Sequence, residues 1–193
     1  MRKEGRAKVL SAKEFSRALI LQRDKKNGLR NIALLCCSYY CGLRAKELAA
    51  LTLGDLLTHN WRLKIEVTLQ SKQTKGGKKR ACYFTHPKLR AALEDYVATR
   101  KPADFAKPLF LSQKGGVFSP NSMQRLFSNL YQEAGIEGAS SHSGRRSFAT
   151  NLLKNGANIK EVQVLMGHSS INTTAIYIQE DPLRLGNLVK RIR

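Results

Sequence analysis

The chain has 193 residues, 42% of them hydrophobic, which suits a folded domain and argues against a disordered chain. It carries 34 Lys and Arg residues against 14 Asp and Glu residues, a formal net charge of +20. A domain this basic usually binds a polyanion, so nucleic acid is the expected partner; a solubility charge or an RNA-binding protein is the alternative. No segment is apolar enough to be a membrane span or a secretory signal.

Three helices are predicted in the first quarter of the chain. Residues 11–14, Ser-Ala-Lys-Glu, form a capping-box sequence that should start the first helix. Residues 31–41 are apolar on nearly every face, which predicts a buried helix that Gly42 ends. Residues 44–51 predict a third, short helix.

The hydrophobic period then changes to that of a strand. Apolar and polar residues alternate from Leu63 to Leu69, which predicts a half-buried strand. Residues 71–80 form a basic turn that contains two glycines, and residues 81–85 predict the returning strand. The sequence therefore predicts a β-hairpin with a positively charged tip.

The remainder of the chain is predicted to be helical. Proline suits the first turn of a helix, so Pro87 and Pro120 mark two helix starts. The predicted helices run from 87 to 100, from 119 to near 135, from 143 to 154, from 158 to 167, from 172 to 178 and from 182 to 193. The fold class is predicted to be mainly α with a small antiparallel β-sheet (α+β), in a single domain over residues 1–193.

The four cysteines do not have the spacing of a metal site. Cys36, Cys37 and Cys41 lie in an apolar run, Cys82 lies in the predicted hairpin, and no pair has the CxxC spacing. We expect them to be core thiols of a reduced, cytoplasmic protein.

A set of basic, imidazole and phenol side chains could act on a phosphodiester. The candidates are Arg44, Lys75, His142, Arg145, His168 and Tyr177. Two guanidiniums can hold the non-bridging oxygens and stabilise the negative charge of the transition state. A phenol can attack phosphorus once surrounding cations favour the phenolate, and a lysine can protonate the leaving oxygen. No carboxylate cluster suits Mg²⁺, so neither a metal nor another cofactor is expected.

Each candidate also has an ordinary structural explanation. Arg44 alone suits a surface ion pair, Lys75 suits one more contact to a phosphate backbone, and Tyr177 suits a half-buried packing position. The histidines can cap a helix or bind backbone groups. The ordered combination of all six favours the catalytic interpretation.

Four segments of the chain resemble the tyrosine recombinase (phage integrase) family. They are residues 41–48 (CGLRAKEL), 74–80 (TKGGKKR), 142–150 (HSGRRSFAT) and 165–177 (LMGHSSINTTAIY). The resemblance covers most of the chain and implies the catalytic-domain fold of that family. The family commonly has Leu where this chain has Gly144 and His where it has Arg146.

The resemblance implies a role for each candidate position. Arg44 and Arg145 would clamp the scissile phosphate, and the two histidines would bind it and assist proton transfer. Lys75 would be the general acid for the 5′ oxygen. Tyr177 would attack phosphorus, which leaves a 3′-phosphotyrosyl link and a free 5′-hydroxyl and needs no ATP.

The resemblance also implies partners. The expected substrate is double-stranded DNA, and the protein is expected in the cytoplasm, associated with the nucleoid. Four protomers would assemble on two DNA sites. The apolar tail 182–193 would pack on a neighbouring protomer or fold back on its own domain. Further DNA contacts are expected from Lys72, Lys78, Lys79, Arg80 and Arg146. Larger relatives carry an N-terminal DNA-clamping domain that is expected to be absent here, as in small stand-alone recombinases that invert fimbrial promoter segments or in a catalytic fragment.

Two other functions fit parts of the sequence. One is a DNA-binding module with the same fold and no cleavage activity. The other is a type IB topoisomerase, which shares the phosphotyrosyl chemistry but only relaxes supercoils. The pairing of His142 with Arg145 favours a recombinase, because topoisomerases usually have lysine at the histidine position. The sequence does not distinguish integration, excision, inversion and resolution.

Overall fold

The computed structural model describes residues 7–74, 76–100 and 104–177. Within these ranges helices predominate, and two strands form a small antiparallel sheet, as predicted. In chain order the elements are α1 (Ala12–Ile20), α2 (Gly28–Cys41), α3 (Ala45–Ala50), α4 (Leu53–Leu56), β1 (Glu66–Leu69), β2 (Arg80–Tyr83), α5 (Pro87–Ala98), α6 (Pro120–Glu133), α7 (Ser143–Lys154), α8 (Ile159–Met166) and α9 (Asn172–Ala175).

The predicted capping box starts α1. The Ser11 hydroxyl accepts a hydrogen bond from the Glu14 backbone N–H at 3.2 Å, and the Glu14 carboxylate accepts one from the Ser11 N–H at 2.9 Å. These two bonds satisfy N–H groups that have no partner inside the helix. The prediction for the start of α1 is confirmed.

Helix α2 lies at the centre of the domain and packs against α5 and α7. It begins three residues earlier than predicted and ends, as predicted, at Gly42, which adopts a left-handed conformation with φ of 64°. A Cβ atom at Gly42 would lie 2.4 Å from the Phe148 ring. Glycine is therefore required both for the backbone turn and for the contact with α7.

The core divides into a large cluster and a small one. The large cluster includes α2, the sheet, α5 and α6, and the four cysteines are buried thiols, as predicted. The small cluster joins α7 to α8 through Ala149, Leu153, Val162 and Met166, and Tyr177 packs against it. This second cluster places the end of α8 and the segment that follows it beside α7.

The hairpin differs from its prediction at both strands. The chain bends at Ile65, so β1 begins only at Glu66, and Ile65 is 64% exposed although the alternation placed it on the buried face of the strand. Strand β2 begins at Arg80, one residue earlier than predicted, and Arg80 pairs with Leu69 across the sheet. The pattern of alternation could not show the bend, because an exposed apolar side chain there breaks no packing rule.

The last third of the described chain follows the prediction except that α9 ends at Ala175, before the predicted end at residue 178, and α4 was missed. Helix α7 begins at the predicted residue, and the predicted starts of α6 and α8, Ser119 and Asn158, are their N-terminal caps; Gly167 is the C-terminal cap of α8. Helix α4 is a single turn that Thr52 and Asp55 cap, too short to give a periodic pattern. Lys75 and the predicted tail helix 182–193 lie outside the described residues. No helix in the described ranges is both long and apolar enough to cross a membrane.

Candidate active site

A cleft of about 1330 Å³ brings most of the candidate residues together. Its lining includes Arg44, His142, Arg145, His168 and Tyr177. These side chains come from the start of α3, the start of α7, the segment just after α8 and the segment just after α9. They are 133 positions apart in sequence at most, from 44 to 177, yet they face one space.

The hairpin forms one side of the same cleft. Lys78 and Lys79 are exposed and line it, and Lys72 is exposed on the hairpin turn, outside the cleft lining. Arg146 also lines the cleft and donates from Nη1 to the Ala7 carbonyl at 2.7 Å. Lys78, Lys79 and Arg146 therefore border the cleft, and Lys72 is exposed outside its lining.

Arg145 is held by two backbone carbonyls at the back of the cleft. It is 6% exposed and donates from Nη1 to the Gly42 carbonyl and from Nη2 to the Met166 carbonyl. Burial, together with the charges of Arg44 and Arg80, lowers the pKa of Arg145 to about 9. The guanidinium therefore remains a cation at neutral pH, and two of its five N–H groups fix its orientation.

Arg44 lies beside Arg145. It precedes α3, and its Nη1 lies 2.7 Å from Oε1 of Glu47. Its Nη2 donates to the Met166 carbonyl at 3.4 Å, the acceptor that Arg145 also uses. The shared acceptor shows that the two guanidiniums lie close together beside the cleft.

Glu47 is a functional residue that sequence reasoning missed. Its carboxylate is fully buried, contacts Arg44 and Arg80 at 2.7 Å each, and accepts from the Arg44 backbone N–H at 2.8 Å. Burial alone would raise the pKa of Glu47, but the attraction and hydrogen bonds of Arg80 and the Arg44 N–H lower it. The available signal was its position three residues after Arg44, where a glutamate caps a helix start.

Arg80 does not lie where the sequence predicted it. It was expected to contact DNA from the hairpin tip, but it is 8% exposed and its guanidinium points inward. It donates to both Glu47 oxygens and, from Nη1, to the Leu165 carbonyl at 2.6 Å. A buried carboxylate attracts a cation strongly, which accounts for the inward orientation.

His168 is a neutral imidazole at the edge of the cleft. It follows Gly167, which ends α8 in a left-handed conformation with φ of 58°. Its Nδ1 lies 2.9 Å from the Thr174 hydroxyl. Burial and the charges of Arg145, Arg44 and Arg80 lower its pKa to about 4, so it is uncharged at pH 7.

His142 and Tyr177 complete the set. His142 precedes the first residue of α7, one helical turn before Arg145, and is exposed with its Nδ1 3.4 Å from the Ser141 hydroxyl. The Tyr177 ring centroid lies 6.1 Å from that of His168, at an interplanar angle of 20°. Tyr177 is partly buried and lines the cleft, so its phenol is not sealed in the core.

This arrangement has the elements of a phosphodiester-binding site with a nucleophile. Two fixed cations lie side by side, and a neutral imidazole, an exposed imidazole and a phenol line the same cleft. Fixed guanidiniums oriented before the substrate arrives stabilise developing negative charge without reorganising.

Known proteins resemble the chain over most of its length. The phage integrase family matches residues 8–184. Tyrosine recombinase XerD of Mycobacterium leprae (strain TN) is 39% identical over 158 residues, which are 77% of this chain and 48% of the relative. Tyrosine recombinase XerC of Agrobacterium fabrum (strain C58 / ATCC 33970) is 35% identical over 161 residues, 81% of this chain and 48% of the relative.

Solved structures have the same fold. The XerA recombinase matches with a TM-score of 0.72 and 25% identity, over 96% of this chain and 65% of that one. The Tn1549 transposon integrase in complex with circular intermediate DNA matches with a TM-score of 0.74 over 100% of this chain and 67% of that one, and its 21% identity supports the fold alone. The chain spans about half the length of the two sequence relatives. From the family match and these identities together, the chain belongs to the phage integrase family, the tyrosine recombinases.

Proposed function

We propose that the protein is a site-specific DNA recombinase that cleaves and rejoins DNA through a 3′-phosphotyrosyl intermediate at Tyr177. The observation that carries the proposal is the shared acceptor of Arg44 and Arg145 in the cleft that Tyr177 lines. Membership of the tyrosine recombinase family supports it.

In this proposal a DNA phosphate takes the anion position between the two guanidiniums. The Tyr177 oxygen forms a bond to phosphorus, and the bond from phosphorus to the 5′ oxygen breaks. The phenol proton leaves through neighbouring groups, and His168 is the proposed acceptor because it is neutral and because the bound phosphate would offset the arginine charges that lower its pKa. The Thr174 hydroxyl engages Nδ1 of His168, so Nε2 is the ring nitrogen left for this exchange.

The leaving 5′ oxygen needs a proton, and Lys75 is the proposed donor. Lys75 lies outside the described residues, and its proposed role rests on its place in the TKGGKKR segment of the hairpin, whose neighbours Lys78 and Lys79 line the cleft. His142, exposed at the cleft, is proposed to donate a hydrogen bond to the phosphate. Since the phosphotyrosyl bond retains the energy of the phosphodiester, a 5′-hydroxyl of partner DNA can reverse the step without ATP.

The proposed partner is duplex DNA in the cytoplasm, contacted by Lys78, Lys79 and Arg146 at the cleft and by the exposed Lys72 outside its lining. Assembly of four protomers on two DNA sites, association with the nucleoid, packing of the tail 182–193 on a neighbour and a single catalytic domain over residues 1–193 stay predictions from the family resemblance.

A nicked suicide DNA substrate tests the function. The wild-type protein should form a covalent adduct that survives denaturing electrophoresis, and Tyr177→Phe should bind the same DNA without forming it. DNA binding with no adduct from the wild-type protein would instead support a binding module without cleavage. A plasmid with two sites separates recombination from simple relaxation, since a topoisomerase would give relaxed circles and no recombinants.

A further inference from the structure

The Arg80 side chain connects α3, which follows Arg44, to the end of α2 and to α8, which precedes His168. Its guanidinium donates to Glu47 at the start of α3, to the Gly42 carbonyl at the end of α2, and to the Leu165 carbonyl in α8. Its Cδ lies so close to Gly167 that a Cβ there would be 2.4 Å away. The donors of Arg80 are directed at protein oxygens, so Arg80 acts on the phosphate only through its neighbours.

Glu47 creates an electrostatic problem that Arg80 can solve. The Glu47 carboxylate orients Arg44 through bonds to its side chain and its backbone N–H. A pair made of Arg44 and Glu47 alone would have no net charge, and a DNA phosphate would compete with a buried carboxylate for Arg44. With Arg80 bound to the same carboxylate, two cations and one anion leave one net positive charge.

We propose that Arg80 is a positioning residue that neutralises Glu47, so that Glu47 can orient Arg44 without cancelling the positive charge that Arg44 presents to the phosphodiester. The proposal rests on the proposed function, because it concerns the same phosphate. It assigns the fifth predicted DNA-contacting residue to the electrostatics of the cleft.

Charge-matched variants distinguish this role from that of a structural anchor. Arg80→Gln removes the cation that neutralises Glu47. Arg44 and Glu47 then have no net charge between them. The double variant Glu47→Gln/Arg80→Gln removes both members of the buried pair and restores one net positive charge. An anchor role predicts that the double variant is at least as defective as Arg80→Gln, since it lacks more hydrogen bonds.

Single-turnover cleavage of the suicide substrate is the first measurement. We expect Arg80→Gln to slow cleavage at least about tenfold, and the double variant to recover at least about fivefold relative to Arg80→Gln. Arg90→Gln is the matched control, because Arg90 also donates to backbone carbonyls near the sheet but lies outside the cleft lining, and it should cleave at the wild-type rate. Unchanged cleavage in Arg80→Gln, or no recovery in the double variant at equal melting temperature, would overturn the proposal.

Arg80→Lys provides a second test if Arg80→Gln does not fold. Lysine retains the charge and loses the forked donor geometry, so we expect cleavage within about fivefold of wild type. A loss of more than about tenfold in a folded Arg80→Lys protein would contradict the electrostatic role and favour a purely geometric one.

The titration of His168, followed by NMR without DNA, separates failure of this proposal from failure of the proposed function. Arg44, Arg80 and Arg145 face the imidazole, whose pKa is about 4, and the Tyr177 ring lies next to it. Arg80→Gln should raise the pKa of His168, because it leaves the negative charge of Glu47 uncompensated. The double variant should return that pKa towards the wild-type value, because removing both members of a close ion pair changes the field at His168 only slightly. An unchanged titration in Arg80→Gln overturns the proposal even if the protein never cleaves DNA.

Discussion

At the scale of single residues, the two arginines of the cleft are fixed in different ways. Arg145 is oriented by carbonyl oxygens, which carry only partial charge, and it keeps its full positive charge although it is almost completely buried. Arg44 is more exposed and is oriented by a carboxylate. Arg145 therefore offers the stronger local field, and its loss should affect the transition state more than the bound DNA.

Arg145→Ala tests this difference. We expect cleavage of the suicide substrate to fall by about 10² to 10³, the usual cost of removing one transition-state donor, while duplex binding changes by less than about fivefold. Gel-shift titration and single-turnover kinetics on the same preparation check both values. Arg100→Ala, which removes a half-buried arginine bound to the Pro108 carbonyl away from the cleft, is the control for general destabilisation. An equal loss of binding and cleavage in Arg145→Ala would contradict the clamp role.

The lowered pKa of His168 makes stability depend on pH. Its pKa is about 4 in the folded protein against 6.5 ordinarily, so the unfolded chain binds the extra proton between these values. The contribution of neutral His168 to the free energy of unfolding should therefore be fully present above pH 6.5. It should be lost as the pH drops towards 4, by about 1 kcal/mol after allowance for solvent screening.

Urea unfolding of wild type and His168→Gln at pH 7 and pH 5 measures this contribution. The wild-type protein should lose more stability than the variant between the two pH values, because the variant has no imidazole to protonate. Comparing the two proteins removes the effects of other groups that titrate in acid, such as Glu14, whose pKa is about 2. Identical losses in both would show that His168 is not held neutral by the fold.

Residue types and order were enough to predict which side chains meet in the cleft, but not how each is held. Arg44, Arg145 and Tyr177 line one cleft, as expected from the family segments in which they lie. The inward turn of Arg80 depends on a carboxylate 33 positions earlier in the chain. A local pattern contains no information about such a pair, so Arg80 was assigned to DNA with its lysine neighbours.

At the scale of elements, the close packing of α7 on α2 positions the catalytic candidates of α7. A Cβ atom at Gly144 would lie 2.5 Å from the Ser38 hydroxyl and 2.9 Å from the Ser38 Cβ. The Ser38 hydroxyl is buried and has no hydrogen-bond partner in the described part of the chain. Gly144 thus allows a helix contact that the leucine common in the family would prevent.

Gly144→Ala should therefore destabilise the protein by about 1–3 kcal/mol through overpacking. Ser38→Gly removes both contacting side-chain atoms, and in a double-mutant cycle the pair should show a favourable coupling of at least about 0.5 kcal/mol. Chemical denaturation gives the four free energies of unfolding. Gly116→Ala is the control, since its new Cβ would meet nothing closer than the Ser112 hydroxyl at 4.0 Å. A destabilised Gly116→Ala, or zero coupling at the Gly144 site, would show that the helix contact is not the cause.

Caps and glycine stops made helix positions predictable, and tertiary contacts decided the rest. The starts of α1, α6 and α8 follow from the polar side chains of Ser11, Ser119 and Asn158, which cap their N-termini. The single turn α4 has a local cap but also contacts a distant segment, through the hydrogen bond from the Gly54 N–H to the Phe105 carbonyl at 2.8 Å. A periodic hydrophobic pattern contains no information about hydrogen bonds to distant segments.

At the scale of the whole molecule, a net charge of +20 would attract DNA to any face. We propose that DNA binds mainly at the cleft. Lys78 and Lys79 are exposed there, whereas Lys13 and Lys26 are exposed near α1, outside the cleft lining. Removing either pair lowers the net charge equally. A comparison of the two pairs therefore separates overall attraction from phosphate contacts at the site.

Each phosphate contact that is lost should reduce the slope of log binding constant against log salt concentration by about 0.9. Lys78→Gln/Lys79→Gln should therefore flatten the slope by up to about 1.8, while Lys13→Gln/Lys26→Gln should leave it nearly unchanged. Fluorescence anisotropy on a short duplex over a series of salt concentrations measures both slopes. Equal flattening in the two variants would mean that charge alone, wherever it lies, accounts for DNA binding, and the hairpin would then have no special contact with the substrate.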